Sequence, residues 1–118
     1  MADQMASQAT LANRLRSAAE RTDLDQADVA DLVGANPRTV ARWLALETEP
    51  RTDVRRRLLE VLAVLEHLSG VLQPQAAHDW LFSPNPALAH RKPIELLGQG
   101  DWREVLGLID ALAEGVFV

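Results

Sequence analysis

Apolar positions fall at helical spacings along almost the whole chain, and no run of alternating β-branched residues points to a strand. Leu11, Leu15 and Ala18 mark a first short helix closing near Thr22. Asp25 is placed to cap a second, which turns Val29, Leu32 and Val33 inward and stops at Gly34. Asn36 caps a third, with Pro37 in the first turn, where its missing N–H is no loss; Val40, Trp43 and Leu44 face inward. Glu47 to Arg51, with Pro50, reads as a loop. The fourth helix is the longest, from about Thr52 to Ser69, and Gly70 closes it. Val54, Leu58, Val61, Leu65, Leu68 and Leu72 form one seam, and Leu59 and Leu62 add a second strip. A surface helix needs only one stripe. This one must be covered from two sides, by the rest of the chain or by a second copy.

Beyond Gly70 the pattern is broken more often. Pro74 opens a helix carrying Ala77, Trp80 and Leu81, and Ser83-Pro84-Asn85-Pro86 interrupts it, because each proline disfavours helix in the residue before it. A short turn, Ala87 to His90, leads to Lys92-Pro93 and the apolar Ile94, Leu96 and Leu97. Gly98-Gln99-Gly100 is a break. Asp101 caps a final helix with Trp102, Val105, Leu106, Ile109, Leu112 and Ala113 on one face, and Gly115 ends it before Val116-Phe117-Val118. Trp80 and Trp102 are expected in the core. The fold class is therefore all-α, with an N-terminal helical bundle over residues 1–70 and a C-terminal helical segment over 71–118.

Composition narrows the class. The 118 residues, 47% of them hydrophobic, suit one domain or two small helical units sharing a core. The chain has no Cys, which removes disulfides and thiolate metal sites and agrees with a reducing cytoplasm. Met1 to Thr10 has neither a basic start nor an apolar run, so no signal peptide is expected. Glu60, Glu66 and His67 make the stretch from Leu58 to Leu72 too polar for a membrane span. A soluble, cytoplasmic protein is the expectation. The net charge of −5 speaks against non-specific nucleic-acid binding. Its distribution does not: Glu20 to Asp31 holds five acids and one base, whereas Asn36 to Arg57 holds six Arg and three acids, a local excess of +3.

Residues Asp25 to Leu46 fit a helix-turn-helix. Ala30 is the small residue needed where two helices cross closely, Gly34 tolerates the sharp turn, and Val29, Val33, Val40 and Trp43 wedge the helices together. An ordinary helical hairpin with a glycine turn is the plainer alternative. On the first reading Arg38, Thr39 and Arg42 face base edges, while Arg51, Arg55, Arg56 and Arg57 hold phosphates. On the second they form a solvated basic face, beside which Glu47 and Glu49 would repel a nucleic-acid backbone.

Three stretches carry a more specific signal: Pro37-Arg38-Thr39-Val40-Ala41-Arg42-Trp43, then Trp80-Leu81-Phe82-Ser83-Pro84-Asn85-Pro86 followed by His90-Arg91-Lys92-Pro93, and the ending Leu108 to Val118. Together they resemble the Xre/MbcA/ParS antitoxins, especially the mycobacterial MbcA type. The resemblance implies an Xre-like N-terminal half that binds operator DNA and represses its own operon. It also implies a C-terminal half that binds a RES-domain toxin acting on NAD and blocks its active site. Under it, Asn85, His90, Arg91, Lys92, Gly115, Val116, Phe117 and Val118 are the expected toxin contacts, with Phe117 filling an aromatic slot. Xre-type domains often carry glycine three residues after the position of Trp43, where this chain has Leu46, so the third helix should end differently.

The residues also allow plainer readings. The prolines of the Ser83–Pro86 stretch can merely stop helices, and Phe117 can fold back on Leu112. A homodimer is expected from the double apolar face of the fourth helix and from the two-fold habit of such DNA-binding units. His67, His78 and His90 stand eleven and twelve residues apart with no ligand-like spacing, so no metal, cofactor or catalytic role is expected. The competing class is a helix-turn-helix transcription regulator whose C-terminal half only dimerises it or senses a ligand.

Overall fold

A computed structural model describes residues 2–115 of the chain, all of its regular structure being helical. The helices are α1 (Ala2–Arg21), α2 (Gln26–Val33), α3 (Pro37–Leu44), α4 (Thr52–Ser69), α5 (Pro74–Phe82), α6 (Pro93–Gly98) and α7 (Trp102–Ala113), with a 3-10 turn at Pro86–Leu88. Local chemistry explains most of the boundaries. Asp25 and Asp28 form a reciprocal capping box at the start of α2, with bonds of 2.8 and 3.0 Å. Asn36 Oδ1 accepts from Thr39 N–H at 2.9 Å, and Pro37 occupies the first turn of α3. Helix α1 begins well before the expected start near Leu11. Its first two turns are built from Ala, Gln and Met, which favour helix without making an apolar stripe. Asp101 stands at the start of α7 as expected, but its side chain makes no capping bond.

Helix C-termini share one solution. After α1, α2, α3, α6 and α7 the chain turns through a left-handed residue: Asp23, Gly34, Leu46, Gly100 and Gly115 respectively. This lets the next amides reach back to the last turn of carbonyls. At the end of α3, Glu47 N–H donates to Arg42 O at 2.9 Å and Leu46 N–H to Trp43 O at 3.1 Å. Leu46 thus does the work of the absent glycine, at φ 62°, and is 45% exposed. A β-carbon in that region costs about 1–2 kcal/mol.

Helix α4 is the axis of the core. Leu58, Val61, Leu62, Val64, Leu65 and Leu68 are each at most 1% exposed, and α1, α2, α5 and α7 all pack against it. Ala18, Val29, Ala30, Val40, Leu81, Leu96, Val105 and Ile109 belong to the same buried cluster, so the core runs without interruption across residue 70. Of the second apolar strip, this chain itself buries Leu62 fully and leaves Leu59 half-buried against the same core. The inner faces of α4 therefore do not call for a second copy. Two polar links reinforce the packing: Arg14 grips Glu66 through two bonds of 2.7 and 3.0 Å, and His67 Nε2 lies 2.6 Å from Asp110 Oδ1, joining α4 to α7. Both are surface pairs and contribute modestly. Trp80 and Trp102, expected in the core, are half-buried and pack against its edge.

Leu46 and Gly34 occupy equivalent backbone positions with opposite consequences. Leu46→Gly should raise stability by about 1 kcal/mol, and Gly34→Ala should lower it by about 1–2 kcal/mol. Urea midpoints at unchanged m-value measure both, and loss of stability in Leu46→Gly would contradict the assignment.

Candidate interaction surfaces

Two surfaces follow from this frame. The first lies where the α2–α3 turn, α3 and the start of α4 meet around an open hollow of about 520 Å³. Thr39, Arg42 and Arg51 line it, over a floor that includes Trp43 and Val54, with Glu49 also on its wall. Arg38 is exposed in the first turn of α3, where the backbone N–H groups and the helix dipole favour anions. Thr39 Oγ1 donates to Asn36 Oδ1 at 3.2 Å, so the capping residue also orients that hydroxyl. The seven DNA-contact candidates are not all together, however. Arg55 turns away from the hollow and lines two smaller cavities against α1, beside Leu11. Arg56 is exposed, and Arg51 stands in a 4.0 Å, largely solvated pair with Asp53.

Arg57 departs furthest from expectation. Instead of facing solvent, its Nε donates to Leu32 O and its Nη2 to Leu97 O, each at 3.2 Å, and Nη2 also bonds Gly98 O. Those carbonyls sit in the last turns of α2 and α6, where intrahelical donors run out; Leu97 O accepts from Gly100 N–H as well, at 3.2 Å. A phosphate-holding role for Arg57 is thus replaced by an internal one: the guanidinium joins two helix ends. No local signal could have revealed this, since the partners lie 25, 40 and 41 residues away.

The second surface is the C-terminal segment. Asn85, expected to contact toxin, is only 5% exposed and organises the turn around it. Its Oδ1 accepts from Ala87 N–H, its carbonyl accepts from Leu88 and His90 N–H, and its own N–H donates to Arg91 O. Ala89 and His90 follow at φ 56° and 66°, two consecutive non-glycine residues in the left-handed region. The internal bonds hold them there and present the exposed side chains of His90 and Arg91, with Lys92 half-buried behind. Arg91 Nε also donates to Leu88 O at 3.2 Å, which narrows its freedom. This is a built turn and more than a helix stop. Gly115 ends α7 at φ 83°. Val116, Phe117 and Val118 lie outside the described residues.

A family model described as the antitoxin Xre/MbcA/ParS C-terminal toxin-binding domain matches residues 63–115. The mycobacterial cidal antitoxin MbcA of Mycobacterium tuberculosis is 46% identical over 108 residues, covering 92% of this chain and 96% of that protein. The chain belongs to the MbcA family of antitoxins. A further relative, a probable mycobacterial cidal antitoxin of the same organism, is 28% identical over 93 residues and covers 79% of each chain. The all-α architecture of this chain also matches a chain in the crystal structure of the M. tuberculosis MbcT–MbcA toxin–antitoxin complex, with a TM-score of 0.82 at 46% identity, over 92% of this chain and 97% of that one.

The matched toxin-binding region takes in the second half of α4 and everything through α7, including the Asn85–Lys92 turn and Gly115. The hollow around Thr39, Arg42 and Arg51 lies outside it. Among the described residues, no group of His, Asp or Glu is gathered to hold a metal ion, and no helix is long and apolar enough to cross a membrane.

Proposed function

We propose that this MbcA-family antitoxin silences a RES-domain toxin acting on NAD, and that its C-terminal tail blocks the toxin's active site. The observation that carries this reading is the 46% identity, along nearly the whole chain, to an antitoxin crystallised with its toxin. Functionally the chain divides near residue 70. The C-terminal segment grips the toxin, with His90, Arg91 and Lys92 as polar and charged contacts held by the Asn85 turn. Val116, Phe117 and Val118, which follow Gly115, are the residues that occupy the toxin's NAD cleft. Phe117 suits a slot shaped for an aromatic base or nicotinamide. Full burial of such side chains is worth roughly 1.5–3 kcal/mol each, enough to matter without dominating an extensive interface.

The N-terminal segment acts on operator DNA as a helix-turn-helix, bound as a homodimer in the cytoplasm and repressing its own operon. The tight Gly34 turn between α2 and α3 and the basic hollow beside α3 support this. Arg38, Thr39 and Arg42 read bases, Arg51, Arg55 and Arg56 hold phosphates, and a two-fold dimer would match paired half-sites. The dimer contact must come from a surface other than the inner faces of α4.

Two experiments test these readings. Deleting residues 116–118 should leave a toxin complex of similar stability while NAD consumption returns in part. Full inhibition by the truncated chain at matched occupancy would show that the tail is not the plug. On upstream DNA, Arg42→Ala should cost on the order of 1–3 kcal/mol and relax sequence preference, whereas Arg56→Ala should weaken all sequences alike. A gel-shift series in which the parent chain binds operator and random DNA equally would defeat the base-reading role.

A further inference from the structure

The Arg57 contacts reach further than stability. One guanidinium joins the C-terminus of α2, which leads into the Gly34 turn and α3, to the C-terminus of α6, which leads through Gly100 into α7. The two ends belong to the two segments proposed above to meet DNA and toxin. A planar cation with fixed N–H directions can satisfy three carbonyls only while both helix ends keep their places. The site is also fitted to it on the far side. Gly100 stands at φ 94°, and a β-carbon there would come within 2.8 Å of Arg57 Nη1. A side chain at that position would be strained by the backbone and would press on the guanidinium beside it. A second contact, His78 Nδ1–H donating to Asp23 O at 2.9 Å, also crosses between the segments, but it ends at the α1–α2 turn, away from α3.

We infer that Arg57 is a positioning residue that couples the two binding segments, so that a change at the α6–α7 turn is felt at the α2–α3 turn. This rests on the division of labour proposed above, but its structural part does not. In a linked system the influence is reciprocal: toxin occupancy alters operator affinity, and operator occupancy alters toxin affinity by the same factor. Arg57 stands inside the basic run Arg55-Arg56-Arg57 and touches neither ligand in this scheme.

The decisive test is amide hydrogen exchange on the full chain. Arg57→Gln should speed exchange at Gly34 and Ala35 and at Gln99 to Asp101 together, on the order of tenfold, the scale of losing a charge-assisted hydrogen bond. Gly100→Ala should speed exchange at Gly34 and Ala35 as well, although it lies in the other segment, and should add little in an Arg57→Gln background. If the effect of Gly100→Ala stays within residues 98–102, or persists undiminished without Arg57, the coupling is overturned. Arg57→Lys, which keeps the charge but not the fork, covers the case where Arg57→Gln fails to fold, and should show the same two-ended change in smaller measure. A second arm compares operator affinity with and without toxin. The parent chain should show a several-fold difference that shrinks in Arg57→Lys. An equal difference in Arg57→Lys overturns the coupling. No operator binding by the parent chain would instead remove the DNA reading, and the exchange data alone would then decide the role of Arg57.

Discussion

Helix α4 carries apolar side chains on two flanks, and neither can be left to solvent: six of them are at most 1% exposed. Each such burial is worth about 1.5–3 kcal/mol, and none is available unless a neighbour covers that flank. The N-terminal helices supply one cover and the C-terminal helices the other. The rest of the architecture follows from that requirement. A chain of this size gains one core shared by both halves, in place of two cores too small to be stable separately. The residues proposed to face partners are those left on the outside of each cover: α3 with its arginines on one side, and the Asn85–Lys92 turn and α7 on the other.

Holding two covers on one helix leaves many helix ends to satisfy in little space. The chain does this with left-handed turns, and it uses non-glycine residues at Asp23 and Leu46 as well as glycine. Where two helix ends meet, at α2 and α6, a single arginine donates to carbonyls of both. The Asn85 turn follows the same logic on a smaller scale. A buried amide closes a loop so that the charged side chains beyond it are presented from a fixed base.

How much of this could be read from the sequence depended on how local the cause was. The Asp25 and Asn36 caps, the Gly34 turn and the span of α4 were legible because each is set within a few residues. The early start of α1 was not, because Ala2 to Ala9 offers helix-forming residues without an apolar stripe. The double stripe of α4 was visible, but not whether the chain or a second copy covers it; that depends on contacts with α5 and α7, distant in sequence. Arg57 looked like its neighbours Arg55 and Arg56 for the same reason. At the candidate interfaces, the prolines around Asn85 and the residues His90 to Lys92 indicated a turn, yet only the structure separates Asn85, which builds it, from His90 and Arg91, which it presents.

The central claim is that both segments fold as one body around α4. Urea unfolding followed residue by residue, with Val29 to Val33 reporting on α2 and Val105 to Ile109 on α7, tests it most directly. One shared midpoint and slope is the predicted result. Two separate transitions, with α7 lost while α2 stays folded, would contradict it.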